Sequence, residues 1–288
     1  MADEAHVPVL TEEIVELMRG ADTVIDMTVG AGGHAEALLE AGVGRVVGVD
    51  RDPEALELAG ERLARFGDRF VPVRARFSEV PRIAEEASIR AVEGTLFDLG
   101  VSSLHLDRPD RGFSYREEGP LDMRMGPEGP TAGDIVNRLP EEELARIIFE
   151  HGEERASRRI ARAIVRARER EPIETTAQLA RIVAGAAPGR RRGPHPARRT
   201  FQALRIAVNE EVEELTASLP QAVGLLAPGG RIAAVSYHSI EDRIVKRAFL
   251  GDERLEVLTK KPVRPGEREM RRNRRARSAK LRAARRTA

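Results

Sequence analysis

The chain has 288 residues, 41% of them hydrophobic, which is enough to bury the core of one large domain or two modest ones. It contains no cysteine, so a disulfide framework, thiolate chemistry and cysteine-ligated metals are excluded. The 48 basic and 47 acidic side chains give a net charge of +1, but the 29 residues from Lys260 onward contain thirteen basic and two acidic residues. This tail of +11 on a body of −10 is typical of an arm that binds a polyanion.

The first hundred residues alternate strand and helix patterns, which is typical of a parallel sheet covered by helices. Strands are predicted at 23–27, 45–49, 70–73 and 95–99, and helices at 33–41, 53–66 and 80–87. Asp52 and Pro53 mark the start of the second helix, because aspartate caps free amide groups and proline suits the first helical position. The sequence therefore predicts a doubly wound α/β domain.

After residue 99 the alternation stops, and a loop rich in glycine, proline and arginine follows. Helices are predicted at 141–150, 155–170, 176–187 and 201–218, and strands again at 231–236 and 255–259. A loop at 188–200 holds five arginines and no acidic residue. We therefore expect a sheet domain in two parts, 1–106 and 201–288, the second with the basic tail, and an inserted all-helical domain with basic loops at 107–200.

Neither a signal peptide nor a membrane span is predicted. Asp3, Glu4, Glu12 and Glu13 occupy the region where a signal peptide needs basic and then apolar residues. The longest uncharged stretch, 216–230, contains two prolines, which argues against a span. We therefore expect a cytoplasmic protein without a membrane partner.

A glycine-rich turn, DMTVGAGGH at 26–34, directly follows the first predicted strand. Glycines at such a turn let the backbone approach a ligand closely, and the next helix offers free amide groups. Asp50, after the second strand, can accept both ribose hydroxyl groups of an adenosine cofactor. The spacing of Gly30, Gly32 and Ala35 also fits a dinucleotide fingerprint, so glycine spacing alone leaves open a dehydrogenase, a methyltransferase or a simple tight turn.

Acidic residues at strand ends favour an S-adenosylmethionine-dependent methyltransferase. Asp26 ends the first strand and Asp98 ends the fourth, at the edge where open α/β sheets bind ligands. Asp98 can contact the amino acid end of the cofactor or accept a hydrogen bond from a substrate amine. Phe77 can line the adenine pocket or belong to the core, and His105 can contact the cofactor or act as a general base.

Aromatic and basic residues in the loops suggest contacts with a nucleic acid. Phe113 and Tyr115 lie beside Arg111 in the loop at 104–125, where they can stack on bases or anchor the loop to the core. Tyr237 and His238 follow a strand and can face a target base. A metal site is not predicted, because Glu241 and Asp242 are adjacent and point to different faces of a helix. The basic face of the helix at 155–170 can contribute to a phosphate-binding surface.

These motifs together resemble the MraW family of ribosomal RNA small subunit methyltransferases over essentially the whole chain. The matching blocks are 6–10, 26–34, 97–103, 111–125, 151–165, 195–211, 236–246 and 273–282. The chain has His105 and Tyr237 where many relatives have glutamine and phenylalanine. It also lacks the proline-proline-aromatic signature of DNA amino methyltransferases after the fourth strand.

The resemblance implies a class I methyltransferase fold with an inserted helical domain. It also implies methylation of the exocyclic 4-amino group of a cytidine in the decoding region of 16S ribosomal RNA, with S-adenosylmethionine as the cofactor and the small ribosomal subunit as partner. The family's cofactor contacts correspond to Gly32, Gly33, His34, Asp50, Phe77, Asp98 and His105. Part of the tail is expected to fold back near the cleft.

The chemistry of the implied reaction needs a hydrogen-bond acceptor for the target amine, and Asp98 is the first candidate and His238 the second. Candidate RNA contacts are Tyr115, Tyr237, Arg111, Arg199, Arg274 and Arg277. An RNA-binding ribosome assembly factor that keeps the fold without catalysis is the alternative function. The sequence leaves open whether the chain forms a homodimer.

Overall fold

The computed structural model describes residues 8–187 and 195–287. The chain divides into two compact units, one formed by Met1–Gly100 with Val212–Ala288 and the other by Val101–Glu211. The expected helical insert, 107–200, lies inside the second unit, which begins and ends several residues further out. Within the described ranges, no helix combines the length and apolar composition needed to span a bilayer.

The first unit is built on one sheet, to which seven strands contribute in the described part of the chain. They are β1 (Thr23–Asp26), β2 (Arg45–Asp50), β3 (Phe70–Arg74), β4 (Val92–Asp98), β5 (Leu226–Ser236), β6 (Leu255–Val257) and β7 (Lys280–Arg286). Their order is β3-β2-β1-β4-β5-β7-β6, with parallel pairing from β3 to β5 and β7 antiparallel to both of its neighbours. The predicted doubly wound α/β fold is confirmed.

Helices lie between the strands in the first unit, and the described secondary structure of the second unit is mainly helical. In the first hundred residues they are α1 (Thr11–Leu17), α2 (Gly33–Glu40), α3 (Pro53–Leu63) and α4 (Val80–Glu86). The second unit contains α5 (Ser103–Leu106), α6 (Ala132–Arg138), α7 (Glu141–Gly152), α8 (Ser157–Arg168), α9 (Thr176–Ala186) and α10 (Arg198–Asn209). The chain continues with α11 (Glu211–Leu225), α12 (Ser239–Gly251) and α13 (Glu267–Arg272).

Apolar residues cover both faces of the central strands. The neighbouring pairs Val24–Ile25, Val46–Val47 and Leu96–Phe97 are buried, and the first member of each pair packs into a different core cluster from the second. Because successive side chains of a strand point to opposite faces, each strand contributes to two cores. The sheet therefore needs helices on both sides.

Two local predictions about helices have different outcomes. Asp52 caps α3 as expected, since its Oδ1 accepts a hydrogen bond of 3.1 Å from the amide of Glu54. The single helix predicted at 201–218 is wrong, because Glu210 has a left-handed backbone (φ 54°) that ends α10 before α11 begins. The buried Asn209 next to this break bonds the backbone of Met123 and Met125, at 2.8 and 2.9 Å.

The end of the basic tail is a strand of the sheet, so this segment folds back onto the first unit and is not a free arm, while its contact with a polyanion stays a prediction. β7 pairs with β5 on one side and with β6 on the other. The buried Arg282 and the partly buried Lys280 both contact the Asp242 carboxylate, at 2.7 and 3.0 Å. Burial raises the pKa of Asp242, but these two cations outweigh it and hold the pKa below its usual range. The first residue of β7 pairs with Ser236, the last residue of β5.

Candidate functional site

The turn between β1 and α2 is closely packed at two of its glycines. Gly30 and Gly32 have left-handed backbones, with φ of 50° and 81°. A Cβ atom on Gly32 would lie 3.1 Å from the side chain of Leu63, and one on Gly33 would lie 3.3 Å from Pro8. The turn therefore presents backbone, and α2 begins there with amide groups that have no partner within the helix.

Asp50 connects this turn to the start of α3. Its Oδ2 accepts a hydrogen bond of 3.0 Å from the amide of Gly30, and its Oδ1 accepts one of 2.9 Å from the amide of Asp52. The side chain is partly exposed at the carboxyl end of β2. The residue expected to bind ribose thus also fixes the glycine turn beside it.

Asp98 is held at both carboxylate oxygens by residues from other elements. Tyr237 donates its hydroxyl hydrogen to Oδ1 at 2.9 Å, and His34 Nε2 lies 3.2 Å from Oδ2, an ion-pair contact that is not aligned as a hydrogen bond. The amide of Asp98 donates to Thr28 Oγ1 at 2.6 Å. These groups meet because β1, β4 and β5 are adjacent parallel strands that end at one edge. The Asp98 side chain remains 22% exposed.

Electrostatics give the members of this cluster different proton affinities. Burial lowers the pKa of His34. The contact with Asp98 and the charge of Asp26 raise it by more than burial lowers it, so the pKa lies above its ordinary value. Burial and the negative charge of Asp98 raise the pKa of Tyr237 well above its ordinary value. Tyr237 therefore keeps its proton and donates a hydrogen bond to Asp98, whereas His34 retains a proton to higher pH than a free imidazole.

Asp26 is a buried carboxyl group beside this cluster, with only 1% of its surface exposed. Burial raises its pKa to about 7, although His34 and a hydrogen bond from the amide of Thr28 (3.1 Å) oppose the rise. Its Oδ2 atom has no hydrogen-bond partner among the residues that the structure describes. The sequence pattern placed an acidic residue here, but nothing in it indicated the depth of burial.

Phe77 lies in the segment after β3, partly buried against the core. Its ring meets the ring of Phe97 edge to face, with centroids 6.0 Å apart. The buried Glu214 fixes this segment by accepting hydrogen bonds from Arg76 Nη1 at 3.1 Å and the amide of Ser78 at 3.2 Å. Sequence reasoning missed Glu214, because its partners lie more than 130 residues away and no local pattern links them.

His238 caps the start of α12, with both ring nitrogens in contact with Glu241. Nδ1 accepts a long hydrogen bond from the amide of Glu241 at 3.4 Å, and Nε2 lies 2.9 Å from Oε1. The other oxygen of this buried carboxylate accepts from the amides of Tyr237 and His238, at 2.7 and 3.1 Å. Both ring nitrogens of His238 thus face Glu241, the carboxylate that holds the Tyr237 amide, and its role as a hydrogen-bond acceptor for the target amine stays a prediction.

The remaining candidate aromatic residues lie in the second unit. His105 is buried, with its ring 4.9 Å from that of Phe113 and its Nδ1 3.2 Å from the hydroxyl of Ser102. Phe113 belongs to the core of this unit, whereas Tyr115 is partly buried. The Tyr115 ring stacks on His195 at 4.8 Å. One face of Tyr115 is therefore covered within the unit itself.

The candidate RNA-binding arginines have different surroundings. Arg111 donates to the carbonyl groups of residues 124 and 125, both at 3.2 Å, so it ties its own loop together. Arg199 donates to the carbonyl of Glu153 at 3.0 Å, and its side chain is 55% exposed. Arg277 is exposed, and the side chain of Arg274 lies outside the part that the structure describes.

The fold and the polar strand ends together define a class of protein. The strand order with β7 reversed is that of class I methyltransferases, and the turn after β1 and the carboxylates of Asp50 and Asp98 lie at the carboxyl ends of the parallel strands, the edge at which open α/β sheets bind ligands. The structure is therefore that of a class I, S-adenosylmethionine-dependent methyltransferase. The family model of the MraW methylases matches residues 3–287, and the chain belongs to this family.

Curated relatives of the chain carry one name. The chain is 48% identical to ribosomal RNA small subunit methyltransferase H of Carboxydothermus hydrogenoformans, with 97% of each chain covered. It is 52% identical to the protein of that name from Deinococcus radiodurans, over 99% of this chain and 90% of the relative. Among solved structures, it is similar to an rRNA methylase from Streptococcus thermophilus, with a TM-score of 0.47, 10% identity and coverage of 96% and 94%.

Proposed function

We propose that this protein transfers a methyl group from S-adenosylmethionine to the exocyclic 4-amino group of a cytidine in 16S ribosomal RNA. Membership of the MraW methylases and the shared name of the curated relatives support the substrate class. The observation that carries the proposal is the Asp98 carboxylate, which Tyr237 and His34 hold at the carboxyl end of β4 while it stays accessible. The small ribosomal subunit, free or during assembly, is the proposed partner.

The residues around the glycine turn fit the cofactor. Gly32 and Gly33 present bare backbone at the turn, because Cβ atoms there would press against Leu63 and Pro8, and Asp50 lies at the end of β2, where a ribose would be bound. When bound, S-adenosylmethionine supplies an electrophilic methyl group on a sulfonium ion. The residues proposed to hold it are Gly32, Gly33, His34, Asp50, Phe77, Asp98 and His105.

The target nitrogen of cytosine is a weak nucleophile, since its lone pair is delocalised into the ring. The protein therefore has two tasks, which are to place this nitrogen in line with the methyl group and to accept a hydrogen bond from it. Each carboxylate oxygen of Asp98 has two lone pairs, so a bond from Tyr237 leaves Oδ1 capable of accepting another from the amine. Tyr237 and His34 fix the direction of that acceptor.

A cytidine stacked in RNA cannot reach the carboxyl edge of a sheet, so the base has to leave its stack. Tyr115 and Tyr237 are the proposed aromatic contacts, and Arg111, Arg199, Arg274 and Arg277 the proposed phosphate contacts. Of these arginines, Arg199 and Arg277 have exposed side chains, whereas Arg111 bonds backbone carbonyl groups of its own loop. We therefore expect Arg199 and Arg277 to contribute more to RNA affinity than Arg111.

The test is methyl transfer from labelled cofactor to small ribosomal subunits or their RNA, followed by mapping of the modified nucleotide. Asp98→Asn keeps the size of the side chain and removes its charge, and we expect turnover to fall by about 100-fold or more. RNA affinity should stay within a factor of about two, because the change removes no positive charge. Asp252→Asn, at the far end of α12, is the matched control and should be active.

Two results would contradict this proposal. Near-normal turnover of Asp98→Asn would remove the carboxylate from the mechanism. Binding of the wild-type protein to subunits without cofactor binding or label transfer would support the alternative, a ribosome assembly factor that keeps the fold without catalysis. Cofactor affinity is therefore measured separately, by calorimetry on the wild-type protein and on both variants.

A further inference from the structure

One helix of the second unit has an exposed face made almost entirely of arginines. Arg158, Arg159, Arg162 and Arg166 on α8 are exposed, and α8 contains no acidic residue. Its apolar residues, among them Ile160 and Ile164, are buried in the core of the unit. Five of the twelve residues of α8 are arginines.

Most of these arginines lack partners within the described residues. Arg162 lies 3.4 Å from Glu141, but Arg158, Arg159 and Arg166 make neither a hydrogen bond nor an ion pair there. Two exposed arginines on other helices of the same unit have acidic partners. Arg138 lies 3.1 Å from Asp134. Arg146 lies 3.2 Å from Glu150.

The arrangement works against the stability of α8 itself. Arg158, Arg162 and Arg166 follow one another at intervals of four, so like charges are neighbours on the helix surface. Arg158 and Arg159 also lie in the first turn, where the helix dipole favours acidic residues. Charged residues that destabilise their own helix, with no contact that compensates the cost, are expected at functional sites.

A second pair of arginines lies close to the start of α8. Arg198 and Arg199 are exposed residues in the first turn of α10. Arg199 Nη1 donates to the carbonyl of Glu153 and lies 3.8 Å from Oε2 of Glu154. Glu154 is three residues before the start of α8, so Arg199 lies near that end of the helix. The basic surface is therefore defined by Arg158, Arg159, Arg162, Arg166, Arg198 and Arg199.

We propose that this basic surface binds the phosphate backbone of the substrate RNA, which rests on the proposed function. From Arg158 to Arg166 it extends about 12 Å along the helix, at 1.5 Å per residue. Guanidinium groups match phosphate oxygens in geometry and stay charged at all relevant pH values. An anionic membrane fits less well, because interfacial helices need an apolar face beside the basic one and the apolar residues of α8 are buried.

The experiment compares two triple variants of the full chain. R158Q/R159Q/R166Q removes the arginines without partners, and R138Q/R146Q/R181Q removes three exposed arginines from other helices of the same unit. Glutamine keeps helix propensity, so both proteins should fold. The melting temperature of the first should equal or exceed that of the wild type, because repulsion within α8 is relieved.

Affinity for naked small-subunit RNA is measured without cofactor over a range of salt concentrations. For the α8 variant we expect the slope of log affinity against log salt to become shallower by about two, at roughly 0.7 to 0.9 per lost contact. The KM for RNA should rise while kcat and cofactor affinity stay unchanged, and the control variant should keep the wild-type slope. An unchanged slope in the α8 variant, or equal losses in both variants, overturns the proposal.

Two further measurements separate this inference from its alternatives. Binding to vesicles that contain phosphatidylserine tests a membrane role. If the α8 variant loses vesicle binding but keeps RNA binding, the assignment of the surface to RNA is overturned. Failure of the wild-type protein to methylate RNA would contradict the proposed function alone, because the salt dependence of RNA binding requires no turnover.

Discussion

Asp26 allows the cost of a buried carboxylate to be measured directly. The group is 1% exposed, and burial raises its pKa from 3.8 to about 7. A raised pKa means that the folded protein binds the proton more tightly than the unfolded chain does. The resulting stability is therefore fully present below pH 3.8 and is lost as the pH rises through about 7. A shift of about three units corresponds to about 4 kcal/mol.

The substitution Asp26→Asn keeps the shape of the side chain and an oxygen that can accept the hydrogen bond from the Thr28 amide. It removes the titration, so we expect the variant to gain stability over the wild type as the pH rises from 4 to 8. The gain should reach at most about 4 kcal/mol, because the variant also loses the attraction between Asp26 and His34.

The assay is urea unfolding of both proteins at a series of pH values, and the difference between their unfolding free energies is plotted against pH. The series extends down to about pH 2.5, well below the unfolded-state pKa of 3.8, because Asp26 is then largely neutral in both states and the difference gives the effect of the substitution itself. Asp68→Asn, at an exposed carboxylate, is the control for the loss of one negative charge. A flat line for Asp26→Asn would refute the reasoning from burial.

Two further substitutions test other parts of the first unit. Tyr237→Phe removes the hydroxyl group that orients Asp98 but keeps the ring, so kcat should fall less than for Asp98→Asn and the unfolding free energy by about 1 kcal/mol. A loss of turnover as large as that of Asp98→Asn would contradict a positioning role. Asp242→Asn leaves the buried Arg282 uncompensated and should cost about 3 kcal/mol in urea unfolding at pH 7. Because the pKa of Asp242 is lowered, its contribution is present above pH 3.8 and is lost as the pH falls through the folded-state value, so the difference from the variant should shrink in acid.

The central part of the fold could be predicted because its strands are short apolar runs bounded by glycine, aspartate and proline. The ends of β1, β2 and β4 follow from the same pattern, and this is why Asp26, Asp50 and Asp98 could be placed at one edge. Their contacts could not be predicted. The bond between Tyr237 and Asp98 joins residues 139 positions apart and depends on β4 and β5 being neighbours in the sheet.

Failures of prediction have two physical causes. The break at Glu210 depends on a single left-handed residue, and glutamate gives no sequence signal for that conformation. The strand β7 was not predicted because its sequence, KLRAARR, contains four basic residues, a pattern that indicates a polyanion-binding arm rather than a strand. In the structure Asp242 compensates two of these charges, and Glu256 lies within ion-pair distance of a third, Arg285.

The position of β7 changes what the charge of the tail means. A deletion from Arg271 onward would remove a strand that pairs with both β5 and β6, along with the cations that compensate Asp242. If such a protein failed to bind RNA, the cause could be damage to the sheet as well as the loss of phosphate contacts, so the deletion does not separate the two. The tail charge available to RNA therefore lies before β7, where Arg268, Arg272 and Arg277 are exposed, and single substitutions there separate binding from folding.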